Sequence, residues 1–333
     1  MKRLFNSSAS SLPLLNPASA GIAAFTFSRA LVRGLSPDFA AGALRVDTSS
    51  PAIDAGLATV QHAAYVNALR SLLPAGGVTE VAAAAGCADS VFIEDTCVVV
   101  GGRALLTTPG APSRRGEVAG VAAALAAAGV KTALCPPGAL LDGGDVLYTG
   151  RELFVGLSSR TNGAGVAALG AAFPGLRVTA IPLVALAASV ERSQTARLAH
   201  PTARKMLAEH RAAASPLHLK SIVSVVGADS LVVPDTPLGN EIAHFIQDAS
   251  GVPRAAKRAG AKISFVFVPA VDAAATNVVL VNGTLLIRSA AEHAEAAAEL
   301  ADFAKDVGLG CVQLDMSEFA KADGALSCCS VLF

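Results

Sequence analysis

Five short segments of this chain gather polar side chains inside apolar surroundings, and their residue types are those that carry chemistry. The first, Asp89-Ser90-Val91-Phe92-Ile93-Glu94-Asp95, sets three carboxylates around a strand-like run. Carboxylates in such surroundings require cations or hydrogen bonds. The second, Pro109-Gly110-Ala111-Pro112-Ser113-Arg114-Arg115, is a Gly/Pro loop that delivers two arginines at a helix start. The third, Leu141-Asp142-Gly143-Gly144-Asp145, is an acidic turn just ahead of a strand. The fourth, Leu217-His218-Leu219-Lys220-Ser221, holds an isolated histidine, and the fifth runs from Asp323-Gly324 to Cys328-Cys329-Ser330. Singly, each has a bland reading: a lone cysteine is commonly a packed core residue, and acidic-Gly turns are frequent loop features. Together they ask for one account in which a thiol, an imidazole, several carboxylates and paired arginines share a site. An ionised thiol is the strong nucleophile of that set, and imidazole is its proton carrier near neutral pH.

Positioning such groups falls to short elements. Strand-length apolar runs occupy Ala24–Val32, Ser90–Val100, Ala104–Thr107, Asp145–Tyr148, Leu153–Leu157, Arg177–Pro182, Ser221–Val225, Ser230–Val233, Val278–Val281 and Thr284–Ile287. Helical stretches lie between them at Ala52–Leu73, Arg114–Ala128, Gly163–Phe173, Leu238–Ala249 and Ala290–Val307. Ser113 is placed to cap the second of these, and Ser289 with Glu292 reads as a capping box for the last. Val100-Gly101-Gly102-Arg103, Tyr148-Thr149-Gly150-Arg151 and Val281-Asn282-Gly283-Thr284 read as tight hairpin turns. The order hairpin, helix, strand recurs along the chain, which predicts an α/β architecture of repeated ββαβ units. No Gly-x-Gly-x-x-Gly follows a strand, so a dinucleotide-binding sheet has no support. The stretch Leu183–Ser215, rich in charge and poor in strand formers, reads as a surface insertion with a helix around Thr202–Ala214.

Composition narrows the function classes. Of 333 residues, 53% are apolar and 16% charged, which fits a buried globular enzyme rather than a disordered chain. Lys+Arg and Asp+Glu balance at 26 each, leaving no basic stripe for nucleic acid or acidic lipid. The Ala-rich runs are too short to span a bilayer. Six cysteines without a Cys-x-x-Cys pair give no zinc-ribbon pattern and point to a reducing compartment. Residues 1–20 read as a disordered tail, with an organelle presequence as the alternative.

The five segments, in this order, resemble the motifs of the dimethylarginine dimethylaminohydrolases. The likeness runs from Phe27-Ser28-Arg29-Ala30-Leu31-Val32-Arg33 to Cys328-Cys329-Ser330-Val331-Leu332, and its most specific stretches are Asp89–Asp95, Gly110–Arg115 and Leu141–Asn162. It implies a pentein α/β propeller, five ββαβ units around a pseudo-fivefold axis, as one catalytic domain over 21–333. It implies Cys328 as nucleophile, His218 as general acid and base, and Asp142 as the carboxylate that orients the histidine. Asp89, Glu94 and Asp95 match acidic substrate-binding positions, and Arg114 and Arg160 match arginines that hold an α-carboxylate. Leu44 and Ala322 match positions whose backbone meets the α-amino end; Ala322 stands where the family pattern has valine. The implied reaction hydrolyses free N-methylated arginine to citrulline with no metal or other cofactor. The cysteine usage makes the cytoplasm the expected compartment, and the expected assembly is a monomer or homodimer. Its alternatives are an arginine deiminase-like hydrolase of the same fold and a non-catalytic pentein that only binds.

Overall fold

The structure is a computed structural model that describes residues 23–46, 51–196, 217–227, 229–251 and 263–333. Strand β1 (Ala30–Arg33) leads through α1 (Phe39–Gly42) and α2 (Ala55–Leu72) to β2 (Val78–Val81). The second unit is β3 (Cys97–Val100), β4 (Arg103–Leu106), α3 (Val118–Ala127) and β5 (Lys131–Leu134). The third is β6 (Val146–Tyr148), β7 (Glu152–Gly156), α4 (Gly163–Ala172) and β8 (Arg177–Ile181), followed by α5 (Leu183–Ala196). The fourth is β9 (Ser224–Gly227), β10 (Ser230–Pro234), α6 (Pro237–Ala249) and β11 (Ser264–Val268). The fifth is β12 (Val279–Val281), β13 (Thr284–Arg288), α7 (Ala294–Asp306) and β14 (Gly310–Leu314), after which α8 (Ser317–Ala320) leads to β15 (Val331–Leu332).

Each unit is one three-stranded sheet: an antiparallel pair, then a helical crossover to a parallel third strand. The crossover is what parallel pairing demands, because a tight turn cannot reverse direction twice. Among the described residues no strand precedes β1 in the first unit, and the C-terminal β15 pairs antiparallel with it, Leu332 with Ala30 and Val331 with Leu31. The chain thereby closes five sheets into a ring. The innermost strands β3, β6, β9, β12 and β15 contribute side chains to one cavity of about 190 Å³ on the ring's axis.

Local chemistry explains the elements. The turn of β12 and β13 places Asn282 and Gly283 at φ 48° and 76°, the left-handed pair that a two-residue hairpin loop uses. Helix α6 buries Gly239, Ile242, Ala243 and Ile246, one face at helical spacing, against β10, whose Leu231, Val232 and Val233 are all buried. Leu183 anchors the first turn of α5 in the same core.

Several expectations from sequence need correction. Ser90–Val100 is a strand only from Cys97; before it the chain makes two 3₁₀ turns, Ala88–Val91 and Ile93–Thr96. Ala24–Val32 likewise narrows to a 3₁₀ turn and the short β1. Ser113 caps nothing with its side chain, because a 3₁₀ turn over Pro112–Glu117 precedes α3. The Ser289/Glu292 capping box does not form. Helix α7 begins after His293, and the Asp272 carboxylate, from another element, accepts from the Ala296 N–H at 3.1 Å. Glu292 instead pairs with Arg288 and accepts from the Met316 N–H at 2.8 Å. Of the expected insertion, 183–196 is helix, while 197–215 and the tail at 1–20 lie outside the described residues.

Candidate active site

A 3₁₀ turn precedes each of the five inner strands: Ile93–Thr96, Gly143–Asp145, Leu219–Ser221, Ala270–Thr276 and Ser327–Cys329. The sequence segments that concentrate polar residues are mostly these turns and the residues flanking them. The propeller thus brings Asp95, Asp142, His218 and Cys328 to one end of its axis although they are scattered along the chain. A second cavity of about 190 Å³ opens there. Eight of the ten candidate residues line it: Leu44, Asp89, Asp95, Arg114, Arg160, His218, Ala322 and Cys328. Asp142 and Glu94 stand behind that lining.

His218 is buried and its Nε2 lies 3.0 Å from Asp142 Oδ2 and 4.0 Å from Asp95 Oδ1. Asp142, wholly buried, also accepts from the Gly110 N–H at 2.8 Å. The imidazole lies over Gly144, where a Cβ would meet Nδ1 at 2.7 Å, so only glycine allows this packing. Burial works against a charged His218, but Asp95, the hydrogen bond to Asp142 and the nearby Asp145 outweigh it and raise its pKa to about 9. Burial likewise opposes the charge on Asp95, yet His218, Arg114 and the Gly144 N–H bring that carboxyl down to about 2. Asp145 is wholly buried and burial pushes it up to about 6; it accepts from Ser158 Oγ at 2.6 Å and from the Leu219 N–H at 3.0 Å. Asp145 therefore anchors the backbone directly after His218.

Cys328 is half-buried, and burial, reinforced by Glu94 and Asp95, pushes its thiol up to about 12. Without a bound cation the cavity is lined by a neutral thiol and a protonated imidazole. Its neighbour Cys329 is wholly buried among apolar side chains.

The two candidate arginines differ. Arg114 is buried and its donors are largely spent within the protein: it pairs with Asp95, grips Glu117 at 2.9 and 2.8 Å, and donates to the Phe92 carbonyl at 2.7 Å. The Arg160 guanidinium, half-buried at the cavity wall, takes no hydrogen bond or ion pair among the described residues. Burial raises the Asp89 carboxyl, and Oδ1 accepts from the Leu44 N–H at 3.0 Å. That bond leaves Leu44 its carbonyl. The same strap is held by Asp323, which accepts from the Val46 N–H at 2.5 Å, and by Arg45, which donates to the Lys321 carbonyl at 2.9 Å.

Glu94 turns away from this cavity toward the axial one, accepting from Lys220 Nζ at 2.5 Å and Ser327 Oγ at 3.0 Å. From sequence, Asp145 reads as a turn cap or as a polar partner beside Asp142, while Lys220, Ser327, Asn277, Arg45 and Asp323 are passed over as site residues. Lys220, Ser327 and Asn277 share one signal that was available: they lie on or beside the turn that precedes an inner strand. Asp95, Asp142 and His218 offer ligand atoms within 4.8 Å of one another, a spacing a cation could use. Here Asp142 and His218 bond each other and Asp95 pairs with Arg114, so these atoms already have partners within the protein.

Five ββαβ units closed around an axis, with the polar turns at one end, define a pentein propeller. Solved structures carry the same fold. A citrulline complex of a cysteine-to-serine mutant of dimethylarginine dimethylaminohydrolase from Pseudomonas aeruginosa superposes with a TM-score of 0.68 at 22% identity, over 93% of this chain and 100% of that one. The product-bound N-terminal domain of ArgZ, a cyanobacterial arginine dihydrolase, gives 0.63 at 19% identity, over 91% and 96%. No family model matches the chain. The N(G),N(G)-dimethylarginine dimethylaminohydrolase of Streptomyces coelicolor is 35% identical over 305 residues, 91% of this chain and 96% of that relative. The chain belongs to the dimethylarginine dimethylaminohydrolase family. Among the described residues no helix is long and apolar enough to cross a membrane.

Proposed function

We propose that this protein hydrolyses free N-methylated arginine to citrulline, releasing dimethylamine or methylamine, through a covalent adduct on Cys328. One observation carries the reading: a single cavity is lined by the thiol, the imidazole, two buried carboxylates and the uncommitted cation Arg160. Asp89 and Asp95 hold the planar guanidinium by charge-assisted hydrogen bonds. Arg160 takes the α-carboxylate, with the remaining donor of Arg114 beside it. The carbonyls of Leu44 and Ala322 meet the α-ammonium.

A guanidinium is a poor electrophile, and a thiolate is the nucleophile suited to it. The resting thiol is protonated, so the arriving cation must offset Glu94 and Asp95 and lower the pKa of Cys328, whose proton passes to solvent water because His218 already carries its own. The thiolate sulfur attacks the guanidinium carbon to form a tetrahedral adduct. His218, held protonated by Asp95 and Asp142, gives its proton to the departing amine nitrogen, and the carbon–nitrogen bond breaks. An S-linked amidino intermediate remains. Neutral His218 then takes a proton from water, whose oxygen adds to the same carbon; the thiolate leaves and citrulline is released. Glu94 acts through Lys220 and Ser327 rather than on the substrate face. The six free cysteines fit a protein working in the cytoplasm. Equimolar citrulline and dimethylamine from asymmetric dimethylarginine, formed by the purified protein, test the reading.

A further inference from the structure

The fifth unit contributes no residue to the proposed chemistry, yet its turn ends on a buried side chain with three polar bonds. Asn277 Oδ1 accepts from the Ser327 N–H at 2.9 Å. Its amide nitrogen donates to Ser327 Oγ at 2.9 Å and to the Lys220 carbonyl at 3.0 Å. Ser327 directly precedes Cys328, and Lys220 lies two residues after His218. One amide therefore ties the turn that carries the thiol to the turn that carries the imidazole, and it is 3% exposed. Both amide hydrogens are spent and the oxygen is engaged, so the side chain has one orientation that satisfies all three partners.

We propose that Asn277 is a positioning residue that sets the register of the Cys328 turn against the His218 turn. The inference rests on the proposed hydrolysis and deepens it: Asn277 touches neither the substrate-binding arginine Arg160 nor the carboxylates Asp89 and Asp95. Its loss therefore acts on the chemical steps and leaves substrate binding alone. Thiolate attack and proton delivery both depend on where the sulfur and the ring nitrogen stand relative to one carbon, and displacements near 1 Å cost about 100-fold in rate. Ser327 supports the same register through its second bond, to Glu94.

Steady-state kinetics on asymmetric dimethylarginine, run on the full-length parent, Asn277→Ala and Ser327→Ala, test this. Asn277→Ala is expected to lower kcat about 10- to 100-fold with KM within about twofold of the parent. Ser327→Ala keeps the backbone bond to Asn277 and is expected to lose less in kcat, again with KM unchanged. Iodoacetamide should still alkylate Cys328 in both variants, showing that the thiol is present and reachable while turnover is lost. Parent-like kcat in Asn277→Ala overturns the proposal, as does a loss that appears in KM. If Asn277→Ala does not fold, Ser327→Ala decides alone: a fall in kcat at constant KM supports the register and an unchanged kcat removes it. A parent that forms no citrulline is a failure of the proposed reaction itself, read separately from any difference among variants.

Discussion

Arg114 and Arg160 match the same family role, but their surroundings assign them different consequences on removal. Arg114→Ala deletes the cation between Asp95 and Glu117, which are 3% and 0% exposed. Two buried carboxylates then lose their partner, and breaking a buried pair costs about 3–5 kcal/mol. Unfolding entropy of about 2 cal/mol/K per residue converts that to a fall in Tm of about 4–7 °C for a chain of this length. Arg160→Ala removes a half-buried cation with no ion pair among the described residues. Its effect on stability should stay within about 1 kcal/mol. In kinetics the order reverses in character. A lost contact to the substrate carboxylate costs about 2–5 kcal/mol, or about 30-fold to a few thousandfold in kcat/KM, most of it in KM. Agmatine, which lacks the carboxylate, should be turned over poorly by the parent and should lose little further in Arg160→Ala. Thermal melts beside steady-state kinetics on both variants check this. A large Tm loss in Arg160→Ala with parent-like KM, or an Arg114→Ala protein as stable as the parent, would refute the assignment.

Cys328→Ser should abolish turnover in a folded protein, because a hydroxyl lacks the thiolate's acidity, whereas Cys329→Ser should keep most of the rate; citrulline release by the two variants separates them, and the opposite pattern moves the nucleophile to Cys329. The free-enzyme thiol is pushed up to about 12, and only the deprotonated form reacts, so iodoacetamide labelling of Cys328 should be slow at neutral pH and still rising above pH 9. A labelling rate that levels off below pH 8 would contradict that environment. Exhaustive chelation should leave the rate unchanged; a loss restored only by added metal would mean that Asp95, Asp142 and His218 hold a working cation.

Much of this arrangement was legible in the chain. The alternating hairpins and helices gave the repeat, because inner and middle strands are buried and therefore apolar, as in β10 and β13. Three of the outer strands were harder. Val78–Val81, Lys131–Leu134 and Gly310–Leu314 are short and largely exposed, β5 along its whole length, so no apolar run marks them. Closure by β15 was invisible because two residues carry no strand pattern, and its pairing with β1 spans the whole chain. At the site, the residue types of Cys328, His218, Asp142 and Asp95 stood out as polar groups in apolar segments. Asn277 and Ser327 did not, since a single amide or hydroxyl near a strand looks like turn chemistry until the fold brings the turns together. The differing commitments of Arg114 and Arg160 depend on long-range partners, Phe92 and Asp95 among them, that spacing cannot reveal.

The most direct test is to incubate the purified protein with asymmetric dimethylarginine, monomethylarginine and arginine in turn, and to measure citrulline together with the released amine. The proposed function predicts citrulline from both methylated substrates, matched one for one by dimethylamine or methylamine, with arginine turned over far more slowly. Preferred turnover of arginine with release of ammonia would make the protein a deiminase-like hydrolase instead, and no citrulline from any of the three would contradict the account.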